Sequence, residues 1–343
     1  MNYAIILAGG SGTRFWPLST EAEPKQFLNI CSNRPLIEQT IKRIRGLIKN
    51  KNICIATNRI YHSKISGCLK GLNIPAENLL FEPKAKNTFA PIALLASRIY
   101  NKDKNAVIVV LPSDHYIKNN TLFLKDIKKA IALTQKGCIV TLGVKPVRPE
   151  TGYGYIKVRS KRRDYYSIDR FIEKPDIERA KNFIMDKSFY WNAGIFIFRA
   201  DTLLEEIKKL MPADYSLLKK IKDGKSLIST WSRFSSVSID YAIMEKTRNI
   251  TLVPARFDWI DLGSWEAVEE FLKKDKKGNI SIGNCIDIGS RNTLCWSDNR
   301  ILATIGLDNL IIVNTDKATL VCAKDKAQEV KKIAGLLKER RFK

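Results

Sequence analysis

Eight consecutive residues, Leu7, Ala8, Gly9, Gly10, Ser11, Gly12, Thr13 and Arg14, run out of a short apolar stretch at 3–8. Glycines placed after a buried strand let backbone N–H groups approach an anion, so the segment is suited to cradling phosphate. Two better-known phosphate patterns fail here. The dinucleotide-binding spacing needs glycine where Phe15 stands, and the Walker pattern needs Lys-Ser/Thr where Arg14-Phe15 stands. An ordinary strand-to-helix turn is the alternative reading. Arg14 favours phosphate, because its planar fork of donors matches phosphate oxygens, and Pro24-Lys25-Gln26-Phe27 brings a second cation eleven residues on.

Two aspartates follow apolar or aromatic runs: Asp114 in Pro112-Ser113-Asp114, and Asp261 in Asp258-Trp-Ile-Asp-Leu-Gly-Ser-Trp265. Each could serve a metal or simply close a turn, with Ser264 the better helix cap in the second segment. His62 and His115 are the only histidines and stand 53 residues apart, which does not suggest a histidine metal site.

These residues need elements to position them. Near-continuous apolar runs at 3–8, 53–56, 106–111 and 138–142 read as buried strands, and segments of helical period at 36–48, 61–69, 89–99 and 122–133 lie between them. That alternation implies an α/β fold with a parallel sheet covered on both faces, whose ligands bind beyond the carboxyl ends of the strands. From about Tyr153 the pattern changes, with strands expected at 154–158, 167–171 and 195–198 and helices at 177–185, 202–211, 239–247 and 264–272. After the lysine-rich run at 273–277 come short β-prone pieces and an amphipathic helix at 324–339. A boundary is expected near Lys277, giving a catalytic domain at 1–277 and a β-rich extension at 278–343 whose strands need neighbours, in this chain or in a second subunit.

Composition narrows the class. The chain has 343 residues, with 59 Lys plus Arg against 35 Asp plus Glu, and a net charge of +24. Basic charge implies a polyanionic partner only when concentrated. Residues 1–277 hold 48 basic and 28 acidic side chains, residues 278–343 hold 11 and 7, and the densest cationic runs lack interleaved aromatics, so no nucleic-acid partner is expected. Seven cysteines with no C-x-x-C pair argue against a zinc ribbon or a fully paired disulfide framework. No signal peptide or apolar stretch long enough to span a bilayer is apparent, so a soluble, cytoplasmic protein without a membrane partner is expected.

The pattern L-A-G-G-x-G-T-R followed by P-K-Q-F resembles the signature of the sugar-1-phosphate nucleotidylyltransferases, and specifically of the bacterial mannose-1-phosphate guanylyltransferases. The resemblance continues through Phe81-Glu-Pro-Lys-Ala-Lys-Asn-Thr88, Leu111-Pro-Ser-Asp-His-Tyr116, Thr151-Gly-Tyr-Gly-Tyr-Ile156, Phe171-Ile-Glu-Lys-Pro175, Tyr190-Trp-Asn-Ala-Gly194, Ser238-Ile-Asp-Tyr-Ala242 and Trp259-Ile-Asp-Leu-Gly-Ser-Trp265. Phe89 stands where the family usually has a small residue, a departure that bears on the base site.

The resemblance implies a Rossmann-like nucleotidyltransferase fold with a mixed, mostly parallel sheet and a short β-helical extension serving subunit contact in a homodimer. It implies that GTP and mannose 1-phosphate are converted to GDP-mannose and pyrophosphate with Mg²⁺, Mn²⁺ being able to substitute. Asp114 and Asp261 would hold the metal, Arg14 the β- and γ-phosphates and Lys25 the α-phosphate. The nucleotide site would comprise the segment from Leu7 to Arg14, Lys25, Glu82, Asn87, Thr88, Pro112, Ser113 and Asp114. Glu82 suits guanine, whose adjacent N–H donors a carboxylate can accept as a pair, whereas the carbonyls of uracil or thymine would repel it. The sugar phosphate falls to Lys174 and Asp261, and the sugar to Glu173, Asn192, Gly152, Tyr153, Gly154 and Gly194; Asp240 either orients a cation or simply opens a helix. Longer family members carry an isomerase domain after the tail; with about 65 residues beyond Lys277, no isomerase activity is expected.

Overall fold

The computed structural model describes residues 1–10 and 12–340. In chain order the strands are β1 (Asn2–Ala8), β2 (Ile53–Asn58), β3 (Leu79–Glu82), β4 (Val107–Pro112), β5 (His115–Ile117), β6 (Ile139–Val144), β7 (Tyr155–Lys161) and β8 (Tyr166–Ile172). They continue as β9 (Phe189–Arg199), β10 (Ile250–Pro254), β11 (Trp259–Asp261), β12 (Ile280–Ile288), β13 (Leu294–Ile305), β14 (Leu310–Asn314) and β15 (Thr319–Ala323).

The chain divides into two compact units, and the division is not sequential. The first comprises 1–9, 38–113 and 117–259; the second comprises 10–37, 114–116 and 260–343.

The first unit is built on a nine-stranded sheet in the order β3-β2-β1-β4-β9-β6-β10-β8-β7. Its β3-β2-β1-β4 end is parallel, as the apolar runs joined by helices predict. Beyond it the sheet is mixed, because β9 runs antiparallel to both β4 and β6 while β7 and β8 form a hairpin. The core packs helix Phe89–Lys102 against residues such as Ile5, Val110, Phe196 and Phe198, all nearly or fully buried. Such a helix, with apolar residues on most of its faces, is what a sheet flanked by further helices requires.

Element bounds depart from the sequence reading where side chains that look like breakers are tolerated. β9 begins at Phe189, well before the expected 195, and runs through Asn192 and Gly194. Gly194 takes a left-handed φ of 65°, and the β6–β9 register shifts between Thr141 and Gly143. The strand therefore carries an irregularity that a run of plain β-formers would not. The helix expected at 239–247 is a π-helix, Asp240–Met244. The helix expected at 264–272 is the short Trp265–Glu269, and the Ser264 side chain does not cap it. The expected 324–339 helix is a 3-10 turn, Lys324–Glu329, leading into Val330–Arg340.

The second unit collects the loop after β1, residues 114–116, and the chain from 260 onward with the extension. In the extension β12, β13 and β14 are parallel and β15 closes the sheet antiparallel. Its core joins Phe15, Leu262 and Trp265 to Trp296, Ile311, Val313 and Val330. The Phe15 and Trp265 rings lie 5.1 Å apart, and Trp265 and Trp296 5.8 Å. The extension thus shares one hydrophobic core with the residue that directly follows Arg14.

Candidate active site

In the second unit, the loop after β1 carries its cations on two short 3-10 turns, Thr13–Phe15 and Lys25–Phe27. Gly12 has φ of 62°, and a Cβ there would lie 2.8 Å from Lys25 Cγ, so both conformation and space demand glycine. Gln26 Nε2 donates to Gly10 O at 3.0 Å, and the Ser19 hydroxyl donates to Gly12 O. Ser11 and the side chain of Thr13 lie outside the described residues.

Lys25 is only 7% exposed. Its Nζ lies 2.8 Å from Asp114 Oδ2 and 3.6 Å from Asp261 Oδ1, and it donates to Leu262 O at 2.8 Å. Burial opposes its charge, but the attraction of Asp114 and then Asp261 prevails and holds the ammonium above the usual lysine range. Burial would likewise raise Asp114, yet Lys25 and then His115 pull its carboxyl below the usual range. The side-chain ligand atoms of Asp114, Asp261 and His115 fall within 4.8 Å of one another. Sequence spacing alone sets His115 aside; its adjacency to Asp114 brings the ring there, on β5, which pairs with the strand of Asp261.

Arg14 reaches the same neighbourhood. A Cβ on Gly263 would lie 3.5 Å from Arg14 Nη2 and 3.6 Å from Asp261 Oδ2. Arg14 Nη1 donates to Gln328 Oε1 at 3.5 Å, and Gln328 Nε2 donates to Ser264 Oγ at 3.2 Å and Glu266 Oε2 at 3.1 Å. Ser264, expected as a cap, is instead an acceptor for this tail residue. Nothing in the local sequence singles out Gln328.

The first unit holds two further clusters. Glu82 ends β3, is 5% exposed, and comes within 3.6 Å of where a Gly9 Cβ would stand. Burial pushes its carboxyl up to about 7 against a hydrogen bond from the Lys86 backbone. The following loop is tethered: Lys86 Nζ donates to Ser232 O and Phe234 O, and Trp231 Nε1 to Lys84 O. Asn87 sits at φ of 59° with Oδ1 accepting from Thr88 N, while Thr88 Oγ1 accepts from Ile239 N. Phe89 is fully buried in the core. Ser113 N donates to Leu7 O at 3.1 Å, joining the ends of β1 and β4, next to Pro112.

The other cluster surrounds Glu173 and Lys174. Lys174 is held at φ of 48° and its Nζ donates to Glu173 Oε1 at 2.5 Å, while Glu173 Oε2 is buried without a partner among the described residues. A Cβ on Gly154 would lie 2.5 Å from that oxygen. Asn192 is more committed than its sequence position implies. Its Nδ2 donates to Asp240 Oδ1 at 2.9 Å, and its Oδ1 accepts from Gly194 N and Thr141 Oγ1. Burial, then repulsion from Glu173, pushes Asp240 up to about 7. Lys174 titrates above its usual range: burial lowers it, but its bond to Glu173 prevails. Gly152 N donates to Glu150 Oε1 at 3.1 Å, and Tyr153 packs edge-on against Trp191 and Trp259. Trp191 Nε1 is buried and unpartnered among the described residues.

The family described as Nucleotidyl transferase matches residues 3–278. The chain belongs to that family. Residues 283–337 of this nucleotidyltransferase match the MannoseP isomerase/GMP-like beta-helix domain. It is 36% identical over 342 residues to the xanthan biosynthesis protein XanB of Xanthomonas campestris pv. campestris (strain B100), covering 97% of this chain and 73% of that protein. It is 36% identical over 345 residues to the mannose-1-phosphate guanylyltransferase of Salmonella muenchen, again covering 97% and 73%. Among solved structures, mannose-1-phosphate geranyltransferase from Thermus thermophilus superposes with a TM-score of 0.91 at 30% identity, covering 98% of this chain and 99% of that one.

Proposed function

We propose that this nucleotidyltransferase is a mannose-1-phosphate guanylyltransferase, converting GTP and α-D-mannose 1-phosphate to GDP-mannose and pyrophosphate. The observation that carries the reading is the buried Lys25, packed against Gly12 of the glycine loop and bridging Asp114 and Asp261. A phosphate monoester has a second pKa of about 6, so at neutral pH the attacking oxygen is already mostly ionised and needs no dedicated base. That oxygen forms a bond to the α-phosphorus, the bond from the α-phosphorus to its β-bridging oxygen breaks, and pyrophosphate departs with the electron pair. The chain's task is to align two polyanions and balance their charge.

Lys25 is assigned to the α-phosphate and Arg14 to the β- and γ-phosphates. Asp114 and Asp261 form a hard-oxygen pair suited to Mg²⁺, with Mn²⁺ an alternative; a bound divalent ion would supply further neutralisation of the triphosphate. Because the Lys25 ammonium already rests on both carboxylates, such an ion would compete with it for them. Glu82 is assigned to the guanine N–H donors, which would hold it in its charged form. Lys174 is assigned to the sugar phosphate and Glu173, with its free buried oxygen, to a sugar hydroxyl. Asn192 and Asp240 support that pair from behind.

A homodimer through the extension is also proposed. Ile286, Ile288, Ile301, Ile305 and Val321 are each more than half exposed on it, and Ile288 is the register partner of Ile305. No described helix is long and apolar enough to cross a membrane. A reducing, cytoplasmic setting is also proposed, on the seven free cysteines.

Pyrophosphate release with GTP, ATP, UTP and dTTP, each against mannose 1-phosphate and glucose 1-phosphate, tests the reading. GTP with mannose 1-phosphate is expected to be fastest. Preference for dTTP would remove the assignment of Glu82, and no release with any pair under Mg²⁺ or Mn²⁺ would overturn the reaction.

A further inference from the structure

The first unit contains a cavity of about 880 Å³ that none of the assigned residues line. Its walls come from the amino ends of the parallel strands: Tyr3 at the start of β1, Asn52 just before β2, and Asn78 just before β3. Glu82 and Gly9, by contrast, lie at the carboxyl ends of β3 and β1. The cavity is therefore at the opposite edge of the sheet from the base-reading residues, and its volume falls in the range of small-molecule sites.

The lining has two characters. Arg98 and Lys102 project from the last turns of helix Phe89–Lys102, with Leu95 on the same face at helical spacing. Lys51, Lys219 and Lys222 add charge, and Glu77 and Asp223 are the acids, so the lining is net cationic. Tyr3, Tyr215 and Leu218 supply flat and apolar surface.

Arg98 is the telling residue. It is partly buried, and burial pulls its guanidinium below the usual arginine range. Yet among the described residues it has no hydrogen-bond or ion-pair partner. Its neighbour Cys54 offers no charge at neutral pH, since burial pushes that thiol to about 11. Partial withdrawal of a guanidinium from water without a partner carries a cost, and an anion seated against it would relieve that cost.

We propose that this cavity binds a nucleoside diphosphate, with phosphate oxygens on Arg98 and the base against the Tyr215 and Leu218 wall. Inorganic phosphate alone would satisfy the guanidinium but leave the apolar wall wet, so the two ligands separate by affinity.

Hydrogen exchange on the full chain, titrated separately with ADP, GDP and inorganic phosphate, tests this. Both nucleotides are expected to slow exchange in segments 95–102 and 215–224, at concentrations well below those at which phosphate does. Arg98→Ser should weaken that protection about ten-fold or more while leaving turnover without added diphosphate unchanged, and Arg98→Lys should lose less. If Arg98→Ser does not fold by circular dichroism, Lys222→Ser is the second variant and should weaken protection in the same direction. Protection confined to segments 7–14 and 82–88, or unaltered by these substitutions, would overturn the proposal. Phosphate matching the nucleotides would overturn its nucleoside part. Because exchange reports binding, these outcomes are independent of whether the chain transfers guanylyl groups.

Discussion

Two single residues, Glu82 and Lys25, carry predictions. Glu82 has a folded-state carboxyl near 7 against an ordinary 4.5. Between those values the folded chain holds the proton that the unfolded chain has released, so Glu82 costs stability as pH rises through the window and the full cost applies above it. Glu82→Gln is therefore expected to gain stability relative to the parent at pH 8 but not at pH 4, by up to about 3 kcal/mol. Urea unfolding at both pH values measures it, and an equal difference at the two would show that the carboxyl is not titrating. In the same residue, guanine nucleotide binding should release protons near pH 7, seen as a dependence of calorimetric heat on buffer ionisation. Lys25→Met is expected to cut kcat by about 10²–10³. It should also tighten Mn²⁺ binding, since the competing ammonium is gone from Asp114 and Asp261. Weaker Mn²⁺ binding, followed by electron paramagnetic resonance, would remove the competition.

Among the elements, the parallel half of the sheet is legible because buried parallel strands read as plain apolar runs; β1, β2 and β4 lie within a residue or two of their expected ends. β9 reads short in the sequence because Asn192 and Gly194 look like breakers, and they are accommodated where β9 itself bulges against β6. The candidate site shows the same division. Arg14 and Asp114 stand out because each adjoins a glycine loop or a strand end, and Lys25 through its Pro24-Lys25-Gln26-Phe27 block, whereas Gln328 acquires its place only through packing of the extension. Gln328→Ala is expected to raise KM for the nucleotide about three- to ten-fold, with kcat largely kept; an unchanged KM in steady-state assays would leave Gln328 with no hold on Arg14. His115 is illegible for a related reason: it has no histidine at metal-ligand spacing, and the cluster forms only where the 114–115 segment meets the separate strand of Asp261.

For the molecule as a whole, charge and apolar surface decide association. The +24 charge is dispersed, while the exposed isoleucines concentrate on the extension. Ile288→Lys combined with Ile305→Lys is expected to yield monomers in light scattering; an unchanged dimer would place the subunit contact elsewhere. Truncation at Lys277 is a poorer probe of association, because it strips Trp296, Ile311 and Val313 from Phe15 and Trp265. That shared core also limits protein engineering. A tail transplanted from a distant relative would arrive with a surface shaped for another chain's aromatic residues. Functional chimeras should therefore require the 10–37 segment to travel with the tail, as a single inheritable part, even though some 240 residues separate the two in the chain.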